Sequence, residues 1–108
     1  MASNTSRQFF GSKQVDPKLS TVPAVAADLT AANTIVFEVT LCNKSAGDVV
    51  VTMTDKQTVA KTFIKATLSA GMTFVVPWAE GLFCSGGVTW IADTASAVDG
   101  SVVAWYSA

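Results

Sequence analysis

Between Thr34 and Asp55 the chain reads TIVFEVTLCNKSAGDVVVTMTD, two apolar–polar alternations around a polar break. Ile35, Phe37, Val39 and Leu41 fall on one side of the first alternation, and Val36, Glu38, Thr40 and Cys42 on the other. Strand side chains point to opposite faces in turn, so this period of two predicts a half-buried strand with the first set inward. β-branched and aromatic residues dominate it, as strands favour. Asn43 to Asp48 then interrupts the pattern with residues that accept left-handed backbone or bond their own main chain, which predicts a turn. From Asp48 to Thr54 the alternation resumes, with Val49, Val51 and Met53 on one face. Paired as a hairpin, Val51 opposite Leu41 and Met53 opposite Val39 keep both apolar sets together. A one-residue slip sets Thr52 beside Val39 on the core side. The alternative to this hairpin places the two strands in different sheets of a sandwich.

The rest of the chain reads as shorter pieces of the same kind. Met1 to Asp16 has no apolar period and predicts an extended arm over residues 1–16, with the aromatic pair Phe9-Phe10 and Arg7 inside it. Asp16-Pro17 and Val22-Pro23 favour extended or turn backbone. Leu19 to Val25 suits an edge strand, and the Ala-rich run Ala24 to Ala32 suits a short helical turn. Thr58 to Leu68 alternates, with Ile64, Ala66 and Leu68 on the cleaner core face. Met72 to Trp78 is a strand stopped at Pro77, Glu80-Gly81 a turn, and Leu82 to Cys84 a short apolar piece. Val88 to Ala92 and Ser101 to Tyr106 are the last two strands, separated by a polar loop from Asp93 to Gly100. Seven or eight short strands with a turn about every ten residues signal an all-β fold. The expectation is an antiparallel β-sandwich over residues 17–108, jelly-roll-like or immunoglobulin-like in topology.

Charge narrows the function classes. The 108 residues carry only 14% charged side chains, against about 25% in typical soluble domains. That fits a Thr/Ser/Ala-rich β-protein, and equally a subunit whose flanks are covered by neighbours. With a net charge of −1, nothing predicts nucleic-acid binding. Every Lys and Arg lies at or before Lys65, and beyond it the charges are Glu80, Asp93 and Asp99. This asymmetry suits head-to-tail contacts between copies. No run of about 18 apolar residues predicts a membrane span, and the first residues lack the basic-then-apolar order of a signal peptide. Cytoplasmic folding, with Cys42 and Cys84 as free thiols, is the expectation.

The chemistry of catalysis is thinly represented. The chain has no histidine, which removes the commonest general base and metal ligand. Two cysteines do not make a zinc site, and no cofactor is expected. Ser85-Gly86-Gly87 lacks the Lys-Thr of a phosphate cradle. Asp48 and Asp55 stand outside any Asp-rich calcium loop, and Glu38 with Glu80 is the remaining acid–base pairing. The candidates left are aromatic. Trp78, Trp90, Trp105 and Tyr106 suit a flat sugar-stacking platform, with Trp78 and Trp90 foremost. Each also lies in or beside a strand, where Trp more often fills a core or seals an interface.

Four segments in order, CNKSAGDVVVTM, LSAGMTFVVPW, GLFCSGGVTWIA and GSVVAWY, resemble small β-sandwich structural proteins of tailed bacteriophages. These are capsid decoration or cement proteins, head-fibre bases and tail attachments. The resemblance covers Thr34 to Ala108 and transfers no catalytic residue. It implies a non-enzymatic virion component, assembled in the host cytoplasm, that binds the major capsid protein or other virion subunits as a homo-oligomer, a trimer favoured. The alternative it leaves is a carbohydrate- or receptor-binding module of a tail or fibre. Arg7, Phe9 and Phe10 are the expected subunit contacts.

Overall fold

The computed structural model describes residues 12–107. Along them run the strands β1 (Ser12–Gln14), β2 (Ser20–Thr21), β3 (Ala27–Thr30), β4 (Thr34–Asn43), β5 (Val49–Asp55), β6 (Lys61–Leu68), β7 (Thr73–Cys84), β8 (Val88–Ala92) and β9 (Val98–Ser107). The first sheet has the order β1-β9-β4-β7, with β2 also paired to β9, and the second has the order β3-β8-β5-β6. All pairs are antiparallel.

The pairs nest. β5 pairs β6, β4 pairs β7, β3 pairs β8, and β1 and β2 pair β9. One antiparallel register therefore runs from Ser12 opposite Ser107, through Ala27 opposite Trp90 and Thr34 opposite Cys84, to Val49 opposite Leu68. The chain is a single long hairpin with its tip between β5 and β6. Rolling that hairpin brings β4 against β9 and β5 against β8, and these contacts complete the two sheets. With β1 and β2 as one interrupted strand, this is the eight-stranded jelly roll. An immunoglobulin sandwich instead keeps its first two strands in one sheet with the fourth and fifth, so of the two expected topologies the jelly roll is the one observed.

Nesting explains the main departure from the sequence pattern. β4 and β5 do not form a hairpin, because β4 pairs with β7 and β9 while β5 pairs with β6 and β8. Both strands bury an apolar face, and two such faces are satisfied by stacking as well as by pairing. Val49, Val51 and Met53 are buried on the second sheet, facing Val39 and Leu41 on the first.

β4 also breaks its own alternation. Phe37 is the extra residue of a β-bulge, with Val36 and Glu38 paired on either side of it. A bulge shifts the faces by one, so Val36, Val39 and Leu41 all point into the core, while Ile35 moves to the outer side opposite Phe83 and Trp105. Phe37 is 7% exposed yet lies outside the inter-sheet cluster. A Cβ on Gly81 would stand 3.1 Å from Phe37 Cε1 and 2.5 Å from Ile35 Cγ2, so both side chains rest on that glycine.

Other boundaries move for similar reasons. β7 runs unbroken through Pro77, because an edge strand has no outer partner that needs the missing N–H. The expected turn at Glu80-Gly81 is the β7 side of the same bulge, with Trp78 to Gly81 set against Phe37. Ala24 to Ala32 holds β3 rather than a helical turn, since β8 offers it a partner. The sheet begins inside the expected arm. Ser12 to Gln14 pair with β9, Val15 N–H donates to the Ala104 carbonyl at 2.9 Å, and Val15 is buried.

The two ends of the sandwich are held by buried polar side chains. At one end Asn43 Nδ2 donates to the carbonyls of Leu68 (2.9 Å), Gly47 (2.8 Å) and Ser69 (3.2 Å), and its Oδ1 accepts from Ser45 N (2.9 Å) and Ser45 Oγ (2.7 Å). At the other, Val88 N–H donates to Thr30 Oγ1 (3.1 Å), and Thr34 Oγ1 donates to the Ala32 carbonyl (2.7 Å). The Thr30 hydroxyl is then free to donate to Thr34 Oγ1 at 2.7 Å. Gly87, at φ 110°, passes so close to the Thr30 carbonyl that a Cβ has no room.

Candidate interaction surface

The core lies between the sheets, so the outer faces are what the molecule presents. On the second sheet the outward positions are Val50, Thr52 and Thr54 of β5, Lys65 and Thr67 of β6, Thr89 and Ile91 of β8, and Asp28 of β3. Threonine and charge dominate, as on a solvated antiparallel face.

The first sheet is different. Gln14, Trp105, Ile35 and Phe83 line up across β1, β9, β4 and β7 in one row. Val103, Glu38 and Pro77 form the next, then Ser101, Thr40 and Val75. Phe83 is 59% exposed and Val75 50%. Paired residues share a face, so Trp105, Ile35, Phe83, Val103, Pro77 and Val75 make one outward apolar stripe, with Phe37 seated beneath it. None of them belongs to the inter-sheet core. Single exposed apolar residues are ordinary; a contiguous stripe is a candidate interaction surface.

Charges sit at its margins. Glu38 stands within the stripe and Glu80 beside it on the β7 bulge, and neither makes an ion pair among the described residues. Among these residues the ion pairs are Lys44 with Asp99 (3.1 Å) and Lys56 with Asp28 (3.0 Å), both away from the stripe.

Trp78 and Trp90, the two foremost platform candidates, are not brought together on a surface. Trp90 is 6% exposed and belongs to the core, which leaves no ring face open to a sugar. Trp78 packs against the core from the β7 edge, 5.9 Å from Phe63 in an edge-on arrangement. Tyr106 also packs inward, whereas Trp105 faces out. Arg7, Phe9 and Phe10 lie outside the described residues. The outward role of Ile35 and Phe83 was not visible in the sequence. The bulge moves Ile35 to the outer face, and Leu82-Phe83-Cys84 is apolar throughout, so its polarity does not say which of the three turns outward.

The thiols sit at opposite ends of the β4–β7 pair, Cys42 opposite Thr73 and Cys84 opposite Thr34, too far apart to be bridged. Burial pushes the Cys84 thiol up to about 12, and the Asp55 carboxylate adds to the shift. Asp55 is itself buried and accepts from Gln57 N (3.2 Å) and Gln57 Nε2 (2.7 Å), a turn-capping arrangement. Among the described residues no three His, Cys, Asp or Glu side chains cluster as a metal site. No helix there is long and apolar enough to cross a membrane.

No family model and no curated protein matches the sequence. Among solved structures, the chain is similar to one from the cryo-EM structure of the giant freshwater prawn Macrobrachium rosenbergii extra small virus (XSV) VLP. The identity is 13% and the TM-score 0.40, over 94% of this chain and 82% of that one. It is also similar to a chain in the structure of infectious bursal disease virus Gx strain, at 11% identity and TM-score 0.40, over 87% of this chain and 29% of that one. Likeness at this level does not transfer a function.

Proposed function

We propose that this chain is a non-enzymatic structural subunit of a virion, and in particular a decoration or cement protein of a phage head. It assembles in the host cytoplasm as a homo-oligomer, a trimer by preference, and holds its partners through the outer face of the first sheet. The observation that carries the reading is the apolar stripe of Trp105, Ile35, Phe83, Val103 and Val75 on one face of a jelly roll whose opposite face is threonine-rich. Jelly rolls serve in viral shells and in lectins. A fold hosts many functions, so the weight rests on the stripe. Its aromatic and aliphatic groups suit the buried core of a protein–protein contact, with Glu38 and Glu80 toward the polar rim. The carbohydrate-binding alternative also loses Trp90 to the core.

The test uses the purified full chain and heads made without it. Phe83→Glu should abolish co-sedimentation with heads while leaving the thermal midpoint near that of the parent. Thr52→Glu, on the outer face of the second sheet, should bind as the parent does. Binding that survives Phe83→Glu and fails with Thr52→Glu would move the contact to the other sheet. Closed shells from the chain expressed alone would make it a shell-forming subunit instead.

A further inference from the structure

We infer that, independently of the assembly face, the cleft between the edges of β6 and β7 is a binding site for a single neutral sugar ring. The cleft follows from how the sheets end. β7 is the last strand of the first sheet and β6 of the second, and no strand joins them. Between them lies a cavity of about 320 Å³, within the roughly 300–1,000 Å³ of small-molecule sites. Asp55 at the end of β5, Gln57 in the turn after it, Lys61 and Phe63 of β6, and Leu82 and Phe83 of β7 all line it.

Three features of this lining select the ligand. The first is an acceptor held in place beforehand. Asp55 is 7% exposed, and Gln57 fixes its carboxylate by donating N–H to Oδ1 and Nε2–H to Oδ2. A carboxylate has about four acceptor positions, so about two remain. No cation fills them, because Asp55 makes no ion pair among the described residues. A buried charge in that state gains from a donor brought in from outside. The second feature is Lys61. It stands directly opposite Asp55 in the β5–β6 register and lines the same cavity, yet the two charges do not close on each other. A cationic ligand drawn to Asp55 would meet the Lys61 ammonium, and an anionic ligand drawn to Lys61 would meet the carboxylate. A neutral ligand rich in hydroxyls satisfies both, donating to Asp55 and accepting from Lys61. The third feature is the apolar wall of Phe63, Leu82 and Phe83, of which Phe83 is 59% exposed and leaves much of its ring open.

A pyranose carries both kinds of group. Its rim of hydroxyls donates and accepts, and the C–H groups on its faces are apolar. Seated in the cleft, it turns an apolar face to the phenylalanine wall and its rim to Asp55, Gln57 and Lys61. Apolar walls with a few convergent polar groups are the usual construction of a small-molecule site. The flat tryptophan platform is lost with Trp90 in the core, and the cleft does not need it.

Backbone amide spectra of the isotope-labelled full chain test the site. The probes are the methyl glycosides of glucose, galactose, mannose and N-acetylglucosamine, with butylguanidinium as a cationic comparison. At least one glycoside should shift the amides of Gln57, Lys61, Phe63 and Phe83 saturably while leaving those of Val75 and Val103 in place. Lys61→Met keeps the aliphatic stem at an exposed position, and Asp55→Asn keeps an acceptor for the Gln57 N–H. Each should weaken that glycoside about tenfold, the worth of one hydrogen bond to a charged group. If Asp55→Asn lowers the thermal midpoint, Lys61→Met carries the answer, since its side chain makes no bond that the fold needs. Saturation by none of the four glycosides, or parent-like affinity in Lys61→Met, would overturn the proposal. Tighter binding of butylguanidinium than of any glycoside would also overturn it and give the cavity to a basic side chain of a partner.

Discussion

Replacing Asn43 removes the side chain that ties two sheet-crossing turns together. Asn43 ends β4, and its amide reaches back to Gly47, inside the crossing from β4 to β5, and across to Leu68 and Ser69, where β6 crosses to β7. It is 2% exposed. In Asn43→Ala the Leu68 carbonyl loses a buried donor, at about 1–3 kcal/mol. The bonds to Gly47 and Ser45 are only part-buried, so water replaces them in part and each costs about 0.5–1 kcal/mol. The sum is about 2–5 kcal/mol, a large share of the roughly 5–15 kcal/mol that holds a domain of this size. Urea titration should show a lower midpoint at unchanged slope, and the Tm should fall by about 10–25 °C. Asn43→Asp sharpens the test. A carboxylate has no N–H for three carbonyls, so at pH 7 the variant should be less stable than Asn43→Ala. Burial raises the folded pKa of that Asp above its unfolded value. Its penalty is then absent below the unfolded pKa and grows as pH rises through the folded one, so the Asp variant should recover relative to Ala near pH 4. A loss under about 0.5 kcal/mol for Ala, or an Asp variant indifferent to pH, would refute the idea that this network holds the corner.

Three further outcomes are expected. Phe37→Ala should cost about 2–3 kcal/mol, below the 3–5 of a Phe enclosed on all sides, because its ring lies on Gly81 at the outer face rather than between the sheets; a chemical melt reads it, and a loss above that of Leu41→Ala would place the ring in the core after all. Gly87→Ala should cost at least about 2 kcal/mol, since φ is 110° and a Cβ would meet the Thr30 backbone, while Gly47→Ala, with nothing within 4 Å, should stay within about 0.5 kcal/mol of the parent. At pH 8 a thiol reagent should label Cys42 in the folded protein and reach Cys84 only on unfolding; because the Cys84 pKa is raised from 9.0 to about 12, stability should hold below pH 9 and fall by about 1.4 kcal/mol per unit as pH rises from there toward 12.

The period of two was legible in the sequence over most strands, while the bulge in β4, the continuity of β7 through Pro77 and Glu80-Gly81, and the pairing partners were not. Val49, Val51 and Met53 alternate in the sequence and are buried as that pattern predicts, as are Ile64 and Leu68. What alternation cannot carry is which strand a face meets. β4 and β5 read as a hairpin because adjacent apolar strands with a short polar break satisfy one another locally. The nested pairing wins because it gives each of them two hydrogen-bonded neighbours. The bulge at Phe37 was equally hidden. Ile35-Val36-Phe37 is apolar throughout, so a one-residue shift of face leaves no trace in the polarity pattern, yet it decides that Ile35 belongs to the surface. The platform reading failed at Trp90 for a related reason: a Trp between Thr89 and Ile91 does not say which side of its strand is filled.

The edges of the two sheets favour the outer face of the first sheet over edge pairing as the contact of the proposed subunit. An open strand edge invites pairing with another chain, and folded proteins blunt it with charge, proline, bulges or brevity. Each edge here carries one of these devices. β6 exposes Lys61 and Lys65. β7 carries Pro77 and the irregularity from Trp78 to Gly81. β3 is short, with Asp28 exposed and a shift of register beside it. β1 and β2 are a few residues each, and the chain leaves the sheet between them. Continuous sheets between copies are thus disfavoured at all four sides. The outer face of the second sheet offers threonine hydroxyls that water satisfies. The stripe on the first sheet, with Phe83 and Val75 at least half exposed, gains most from being covered. Burying the exposed half of one such side chain is worth roughly 1 kcal/mol, so several of them together add to a contact without any edge pairing. A partner laid flat against β9, β4 and β7 collects all of them at once.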